Sequence, residues 1–511
     1  MRGIIEFGDF GGSRARGPNE FVAGAAGLAF LLVFACLSVP LHAQQTKTFV
    51  DASASAGLEG LNTAAHAGWG DYNNDSWVDL AVGGKLFRND HGTFVKTRFN
   101  EDFGRDKANG HTSLWLDYDN DGDLDLFGIT FDTYTFRLFE NTGRDDVFKD
   151  ASNRFPPDRM KGQSNSVTPG DWNGDGYIDL YVPGWSDEDG NEGAHDEIWM
   201  NTGDGTFRVA WKSPEKHLGR AITACDFDED GDMDIYLGNY RLVRNYLWLN
   251  DGTGNFNDVA ETYGVAGDGE LGAWGHSTGA AWADLDDDGH FDLVAVNLAH
   301  PPAYQDRTKF YRNTGPEGSY RFEDKSESVG LVYRESASTV ALGDYDNDGD
   351  VDFFITTCYG DEGVLYRNDG DWKFANVTVA EGFDNKPVDL NLNHTHQAAW
   401  ADYDNDGDLD LLTSGMLFRN KGNGNHWLKV KMAGQDRVNR AAVGTQVRLR
   451  LGDKTLTRQV EGTTGESSQN DLTLHFGLGA HGGPVVLEVT WPDGSNQKVR
   501  TAPNRLVTVR N

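Results

Sequence analysis

A chain of 511 residues exceeds what one compact core organises, which leaves several domains or one large closed repeat array with an added module. With 38% hydrophobic and 24% charged residues, 63 Gly, 14 Trp, 17 Tyr and 28 Phe, the composition reads as all-β and excludes a coiled coil or a disordered acidic chain. The net charge of −35 excludes nucleic acid as a partner, because a phosphate backbone would repel this surface.

In chain order, Arg14 and Arg16 precede an apolar stretch from about Phe21 to Leu37, followed by Pro40 and by Leu41, His42 and Ala43 before Gln44. This is the layout of a secretory signal, so residues 1–43 are expected to be a signal peptide and the protein to be secreted, periplasmic or at the cell surface. A membrane enters only if that leader stays uncleaved. Beyond it only Cys225 and Cys358 remain, too few for a disulfide framework, and they are expected as buried free thiols.

The strongest signal is internal repetition across residues 44–424. Seven loops place oxygen-bearing side chains at positions one, three, five and nine. Loop 1 has Asp71, Asn73, Asp75 and Asp79; loop 2 has Asp117, Asp119, Asp121 and Asp125; loop 3 has Asp171, Asn173, Asp175 and Asp179. Loop 4 has Asp226, Asp228, Asp230 and Asp234; loop 5 has Asp284, Asp286, Asp288 and Asp292. Loop 6 has Asp344, Asp346, Asp348 and Asp352, and loop 7 has Asp402, Asp404, Asp406 and Asp410. Successive loops start 46 to 60 residues apart.

Each loop is preceded by a short run such as Ala398 to Ala401 and followed by β-type runs, one ending in Asn (Asn89, Asn201, Asn250, Asn368) before an Asn-x-Gly or similar hairpin turn. Four short strands per unit are the signature of a propeller blade, and seven units predict a seven-bladed β-propeller. The mature chain opens on Phe49-Val50-Asp51, a last-strand sequence, whereas the seventh unit stops near Gly424 without one. The opening strand is therefore expected to complete the seventh blade and remove two exposed sheet edges. Trp69, Trp115, Trp282 and Trp400, two places before their loops, are expected to pack between blades.

An all-oxygen loop with three or four carboxylates suits a hard divalent ion, and a flexible loop prefers calcium to magnesium. No His or Cys occupies a ligand place, which argues against zinc or iron. The expectation is up to seven structural Ca2+ ions, with Gly at place six supplying a tight turn at positive φ. An EF-hand starts similarly but needs Glu at place twelve, where this chain has Val82 or Gly128. Loops 1 and 3 carry Asn73 and Asn173, each one carboxylate short, and are expected to bind more weakly.

Residues 44–424 hold 70 acidic and 30 basic residues, whereas 425–511 hold 7 and 12, and this reversal of sign predicts a domain boundary near Asn425. Runs such as Trp427 to Lys431, Gln446 to Leu451 and Val485 to Trp491 predict a β-sandwich over 425–511. Its positive charge fits either packing on the acidic ring or an anionic glycan.

The Asp-rich blades resemble FG-GAP/VCBS repeats, the calcium-binding blades also seen in integrin α-subunit heads. The tail, with Asn439 to Gly444, Leu474 to Gly479 and Trp491 to Gly494, resembles the ASPIC/UnbV domain. Together they are similar to the cartilage acidic protein-like family, a resemblance that implies secreted calcium binding and little about activity.

His66, His111, His276, His394 and His396 precede their loops by five to eight places, with Arg220 in the same region of the fourth unit and Glu335 near it in the sixth. These positions start the innermost strands, at the channel mouth opposite the acidic loops. His111, His276, His394, His396 and Arg220 are the catalytic candidates: converging imidazoles bind a transition metal or act as a general base. The plainer alternative is that they hydrogen-bond neighbouring blades. No P-loop, nucleophile elbow or His-Glu-x-x-His helix is present. The sequence thus supports an exported, monomeric recognition or adhesion module for extracellular protein or glycan, with a lyase- or dehydratase-like enzyme at the histidine mouth as the alternative.

Overall fold

The alternation of apolar runs with Asp- and Gly-rich turns becomes, in a computed structural model, seven antiparallel sheets of four strands each among the described residues. Those residues are 47–511 without 62–64, 100–109, 131–134, 145, 158–163, 165, 186–192, 270–271, 299–304, 332–335, 359–362 and 384–396. The leader expected at 1–43 lies outside them. Among the described residues no helix is long and apolar enough to cross a membrane.

The second sheet shows the unit: Gly110–Leu116, Asp125–Thr130, Phe136–Asn141 and Phe148–Asp150 pair in sequence order, with the acidic loop joining the first two. The first strands of successive sheets converge. They carry small residues, as in Ser277–Ala283, where all seven are buried. Size matters here because the strands meet closely: a Cβ on Gly279 would lie 2.7 Å from Thr339 Cα, and one on Gly68 2.5 Å from Ser113 O.

Two repeated devices join the blades. The tryptophans expected at the seams are there. Indole N–H groups donate to the preceding first strand, Trp69 to Ala399 O, Trp115 to Gly68 O and Trp400 to Ala341 O. The second device is the Asn ending each third strand. Its Nδ2 donates to the carbonyl at place two of the preceding blade's loop: Asn141 to Tyr72, Asn201 to Tyr118, Asn250 to Trp172, Asn313 to Phe227, Asn368 to Leu285, Asn420 to Tyr345 and Asn89 to Tyr403, at 2.7–3.0 Å. The last bond runs from the first blade to the seventh, so the chain of staples is a circle. The same Asn side chains also donate to the place-eight carbonyl of their own loop. The opening strand Phe49–Asp51 pairs antiparallel with Met416–Asn420 and is the outer strand of the seventh sheet, the closure expected from the sequence.

The tail forms two further sheets. His426–Ala433 lies between Leu474–Gly479 (antiparallel) and Leu506–Arg510 (parallel). Gln446–Leu451 lies between Lys454–Gln459 and Val485–Thr490, and Asn496–Thr501 forms the edge. Inward residues of both sheets, among them Leu428, Val430, Val447, Leu449, Phe476 and Leu487, are buried in one cluster that continues into Tyr118 and Ile178 of the propeller. This is the two-layer sandwich read from alternation. The residues from Thr46 onward form one compact unit.

The segment joining Lys454–Gln459 to Leu474–Gly479 leaves the sandwich and enters the propeller channel. Gly465 exchanges hydrogen bonds with Ala280, and Gln469 N–H donates to Ala67 O while its carbonyl accepts from Trp69 N–H. The Gln469 side chain also pairs with both backbone groups of Trp115, at 2.8 and 2.9 Å. Asn470 Oδ1 accepts from Trp400 N–H, Thr463 bonds Thr168, and Glu466 meets Arg220. Six of the seven first strands are thereby bonded to this plug.

Candidate metal centres

A loop that packs four carboxylates into nine residues must turn twice. Place six takes positive φ, with Gly122, Gly176, Gly231, Gly289, Gly349 and Gly407 between 90° and 106° and Ser76 at 70°. Place four does so as well, with Asn74, Asn120, Glu229, Asp287, Asn347 and Asn405 at 57–60° and Gly174 at 65°. Asn tolerates this region better than most residues, which explains its frequency at place four. There it also links the loops sideways. Asn120 Nδ2 donates to Gly176 O at 2.7 Å, Asn347 to Gly407 O at 3.2 Å, and Asn405 to Ser76 O at 2.9 Å across the closure.

The loop carboxylates divide by task. In loops 1 to 4, 6 and 7 the place-one Asp accepts the place-six N–H, as Asp117 does from Gly122 and Asp402 from Gly407, at 2.9 and 3.0 Å. In all seven blades the place-nine Asp accepts, through Oδ1, the backbone N–H of the stapling Asn, at 2.7–2.8 Å. Place nine is therefore a strand-to-strand clip as well as a candidate ligand, a role that its spacing alone did not reveal.

Five loops bring three carboxylate oxygens within 4.8 Å of one another: Asp117, Asp119 and Asp125; Asp226, Asp228 and Asp230; Asp284, Asp286 and Asp288; Asp344, Asp346 and Asp348; and Asp402, Asp404 and Asp410. Loops 1 and 3 form no such group among the described residues. Instead Asn73 Nδ2 donates to Asp75 Oδ2 and Asn173 Nδ2 to Asp175 Oδ2, each at 2.9 Å.

A second observation separates the same two sets. Among the carboxylates of the acidic loops, buried oxygens with no hydrogen-bond partner occur at Asp117, Asp226, Asp228, Asp234, Asp284, Asp286, Asp287, Asp346 and Asp404, all in the five converging loops. An unsatisfied buried acceptor is costly, and a carboxylate more so. Burial and then neighbouring carboxylates push Asp228 up to about 6 and Asp117, Asp226, Asp346 and Asp406 to about 7. Burial raises Asp234, Asp284, Asp344 and Asp410 well above the usual range. A hard divalent cation supplies the missing partner and offsets the crowding, and the donor set, all oxygen, fits one.

The tail covers this face and touches every loop. Lys431 Nζ reaches Asp71, Arg440 N–H reaches Asn120, and Arg437 backbone abuts Gly176, where a Cβ would come within 2.9 Å. Gln446 donates to Asp226 O, Thr457 N–H to Asp284, Gly477 N–H to Asp344, and Lys429 Nζ to Asp402 at 2.9 Å. Lys429 and Lys431 thus place part of the tail's positive charge on the acidic ring.

At the opposite mouth, Arg220 is mostly buried against Glu466 and lies over the rings of Trp185 and Tyr240. His276 is buried beside Tyr240, with Nδ1 accepting Arg241 N–H at 3.0 Å. His66 is fully buried, 3.1 Å from Thr112 Oγ1 and 3.9 Å from Glu466. The side chain of His111, together with His394, His396 and Glu335, lies outside the described residues. Cys225 and Cys358 are buried thiols not joined in a disulfide.

The architecture defines a class: a ring of acidic-loop blades capped by a basic β-sandwich. Residues 117–182, 226–295 and 344–413 match the family described as FG-GAP-like repeat, and 435–511 match ASPIC and UnbV. The chain thus carries FG-GAP-like repeats followed by a C-terminal ASPIC/UnbV domain. Among curated proteins it is similar to "Cartilage acidic protein 1" of Xenopus tropicalis, 27% identical over 416 residues, covering 74% of this chain and 60% of that one. The Homo sapiens protein of that name is 26% identical over 414 residues, covering 74% and 59%. The chain thus spans about three-fifths of these relatives' length. A solved Agrocybe aegerita lectin, described as recognising non-reducing terminal N-acetylglucosamine, aligns over 65% of this chain and 79% of its own at 18% identity, with a TM-score of 0.38.

Proposed function

We propose that the protein is an exported, calcium-stabilised propeller that serves extracellular recognition or adhesion, with protein or glycan as its ligand. The observation that carries the calcium reading is the coincidence of two independent features in the same five loops: converging carboxylates, and buried carboxylate oxygens without partners. The ions are structural in this reading. They sit within single loops under the tail and hold the blades' ends in register. The relatives named cartilage acidic protein support an extracellular setting. With the acidic face covered and the channel filled, recognition falls to the opposite face and the outer rim, where the Trp185 and Tyr240 rings flank Arg220. Arg220 and His276 are committed to Glu466 and to the Arg241 backbone, so neither favours the enzyme reading.

Elemental analysis of protein purified without chelator tests the ion: about five calcium per chain are expected, and a stoichiometric transition metal in their place would overturn the assignment. Binding to glycan arrays and immobilised matrix proteins, with calcium and with EDTA, tests recognition. Absence of any ligand that depends on the far face would count against it.

A further inference from the structure

The tail reads the acidic loops through the atoms that a caged ion would fix. In loops 5, 6 and 7 the place-six carbonyl, held at positive φ, accepts from the tail. Gly289 O takes Thr457 Oγ1 at 3.0 Å and Arg448, Gly349 O takes Arg458 at 3.1 Å, and Gly407 O takes His475 Nε2 at 3.1 Å. The place-one carboxylates are shared in the same way. Asp284 gives Oδ2 to Thr457 N–H at 3.1 Å while its Oδ1 is buried without a partner, and Asp344 gives Oδ2 to Gly477 N–H at 2.9 Å.

These readers flank the channel plug in sequence. Thr457 and Arg458 lie in the strand Lys454–Gln459 that leads into it, and His475 and Gly477 in the strand Leu474–Gly479 that leaves it. Both stems of the plug therefore stand on loops 5 to 7, while its tip is bonded to the first strands through Gly465, Glu466 and Gln469.

Resting on the calcium reading above, we propose that ion loading and plug insertion are one coupled equilibrium: the loaded loops hold the stems, and the stems hold the channel closed. The alternative sign, in which basic tail residues prefer ion-free loops, is the weaker effect. Loop 7 has five carboxylates (Asp402, Asp404, Asp406, Asp408 and Asp410), so a divalent ion still leaves it negative and the attraction of Lys429 survives. A divalent ion would fix the loop's geometry without reversing the sign of its field, and the contacts to Gly289, Gly349 and Gly407 are directional hydrogen bonds to the loop backbone.

Coupling is reciprocal, so loosening the plug tip must weaken ion binding although no ligand is touched. The test is calcium titration by calorimetry of full-length protein, with Gln469→Ala and Glu466→Gln in parallel, and hydrogen exchange over residues 455–479. Expected for Gln469→Ala are faster exchange at Gly465 and Gly477 and calcium affinity in the tightest sites reduced at least about fivefold. Glu466→Gln keeps the shape and serves if the first variant folds poorly. Faster exchange with affinity unchanged within twofold overturns the coupling. Tighter binding overturns its sign. Wild-type protein that takes up no calcium instead removes the calcium reading itself, a result distinct from either.

Discussion

Loops 2 and 3 are neighbours in the ring, built on the same scaffold, and they differ in one side chain that matters. In loop 2 Asp119 joins Asp117 and Asp125 within 4.8 Å, and a buried Asp117 oxygen has no partner. In loop 3 Asn173 turns its amide onto Asp175 at 2.9 Å, and no orphan carboxylate oxygen occurs there among the described residues. The clip at place nine is the same in both: Asn141 N–H on Asp125 and Asn201 N–H on Asp179, at 2.8 and 2.7 Å. Blade construction and carboxylate convergence are therefore separable. The ninth residue and the terminal Asn build the blade, and the third residue goes with whether the loop's carboxylates converge.

The largest expected effect breaks the whole comparison at once. A ligand held at a hundred times its Kd stabilises by about 2.7 kcal/mol per site, so stripping five sites should lower Tm by about 10 °C or more in a chain of this size. Scanning calorimetry with EDTA against millimolar calcium checks it, and a shift of a degree or two would mean that the loops are self-sufficient. Next comes a single-site contrast. Asp346→Ala removes a carboxylate from a converging group and should abolish one calcium and cost about 2–3 kcal/mol. Asn173→Ala, in a loop without such a group, should leave the calcium count unchanged. Equal losses from the two would erase the distinction between the sets.

A third contrast concerns the cover. Lys429 and Asp402 are 8% and 1% exposed, whereas Lys431 and Asp71 are 32% and 12% exposed. Removing one member of a buried pair is expensive and removing a screened one is not. Lys429→Met should therefore cost about 2 kcal/mol, and Lys431→Met less than about 1 kcal/mol, in urea unfolding with calcium present.

The legible part of the molecule is the part that repeats. Seven copies of Asp at places one and nine, with Gly or Ser at place six, announce the blades and the candidate ligands, and the orphaned Phe49-Val50-Asp51 announces the closing strand. Alternation in Val447, Leu449, Leu487 and Val489 announces the sandwich. Signals that occur once were not legible. Nothing about Gly462 to Asn470 says that Gln469 bonds across the channel to Trp115, because that contact joins residues 354 apart and depends on how two domains meet. The terminal Asn repeats and was visible, but its second bond reaches the neighbouring blade, a relation that spacing within one unit does not express. The candidate residues at the far mouth share a position relative to their loops, which placed them at the mouth. It did not reveal that Arg220 meets a carboxylate from the tail.

The smallest expected effect is also the sharpest for the opening comparison. Asn173→Asp converts loop 3 to the side-chain set of loop 2 at places one, three, five and nine. The variant replaces an internal donor, the Asn173 amide on Asp175, with a like charge. Without a cation this should destabilise the chain by about 0.5–1 kcal/mol, the scale of one exposed hydrogen bond lost and one repulsion gained. With millimolar calcium the sign should reverse, Tm rising by about 1–2 °C as calorimetry registers one more tight site than in the parent. A sign that depends on calcium cannot arise from a packing change, since that would act equally in both buffers. If Asn173→Asp is destabilising in calcium and in EDTA alike, the third residue does not control ion demand, and the division between the two sets of loops must be sought in their cover instead.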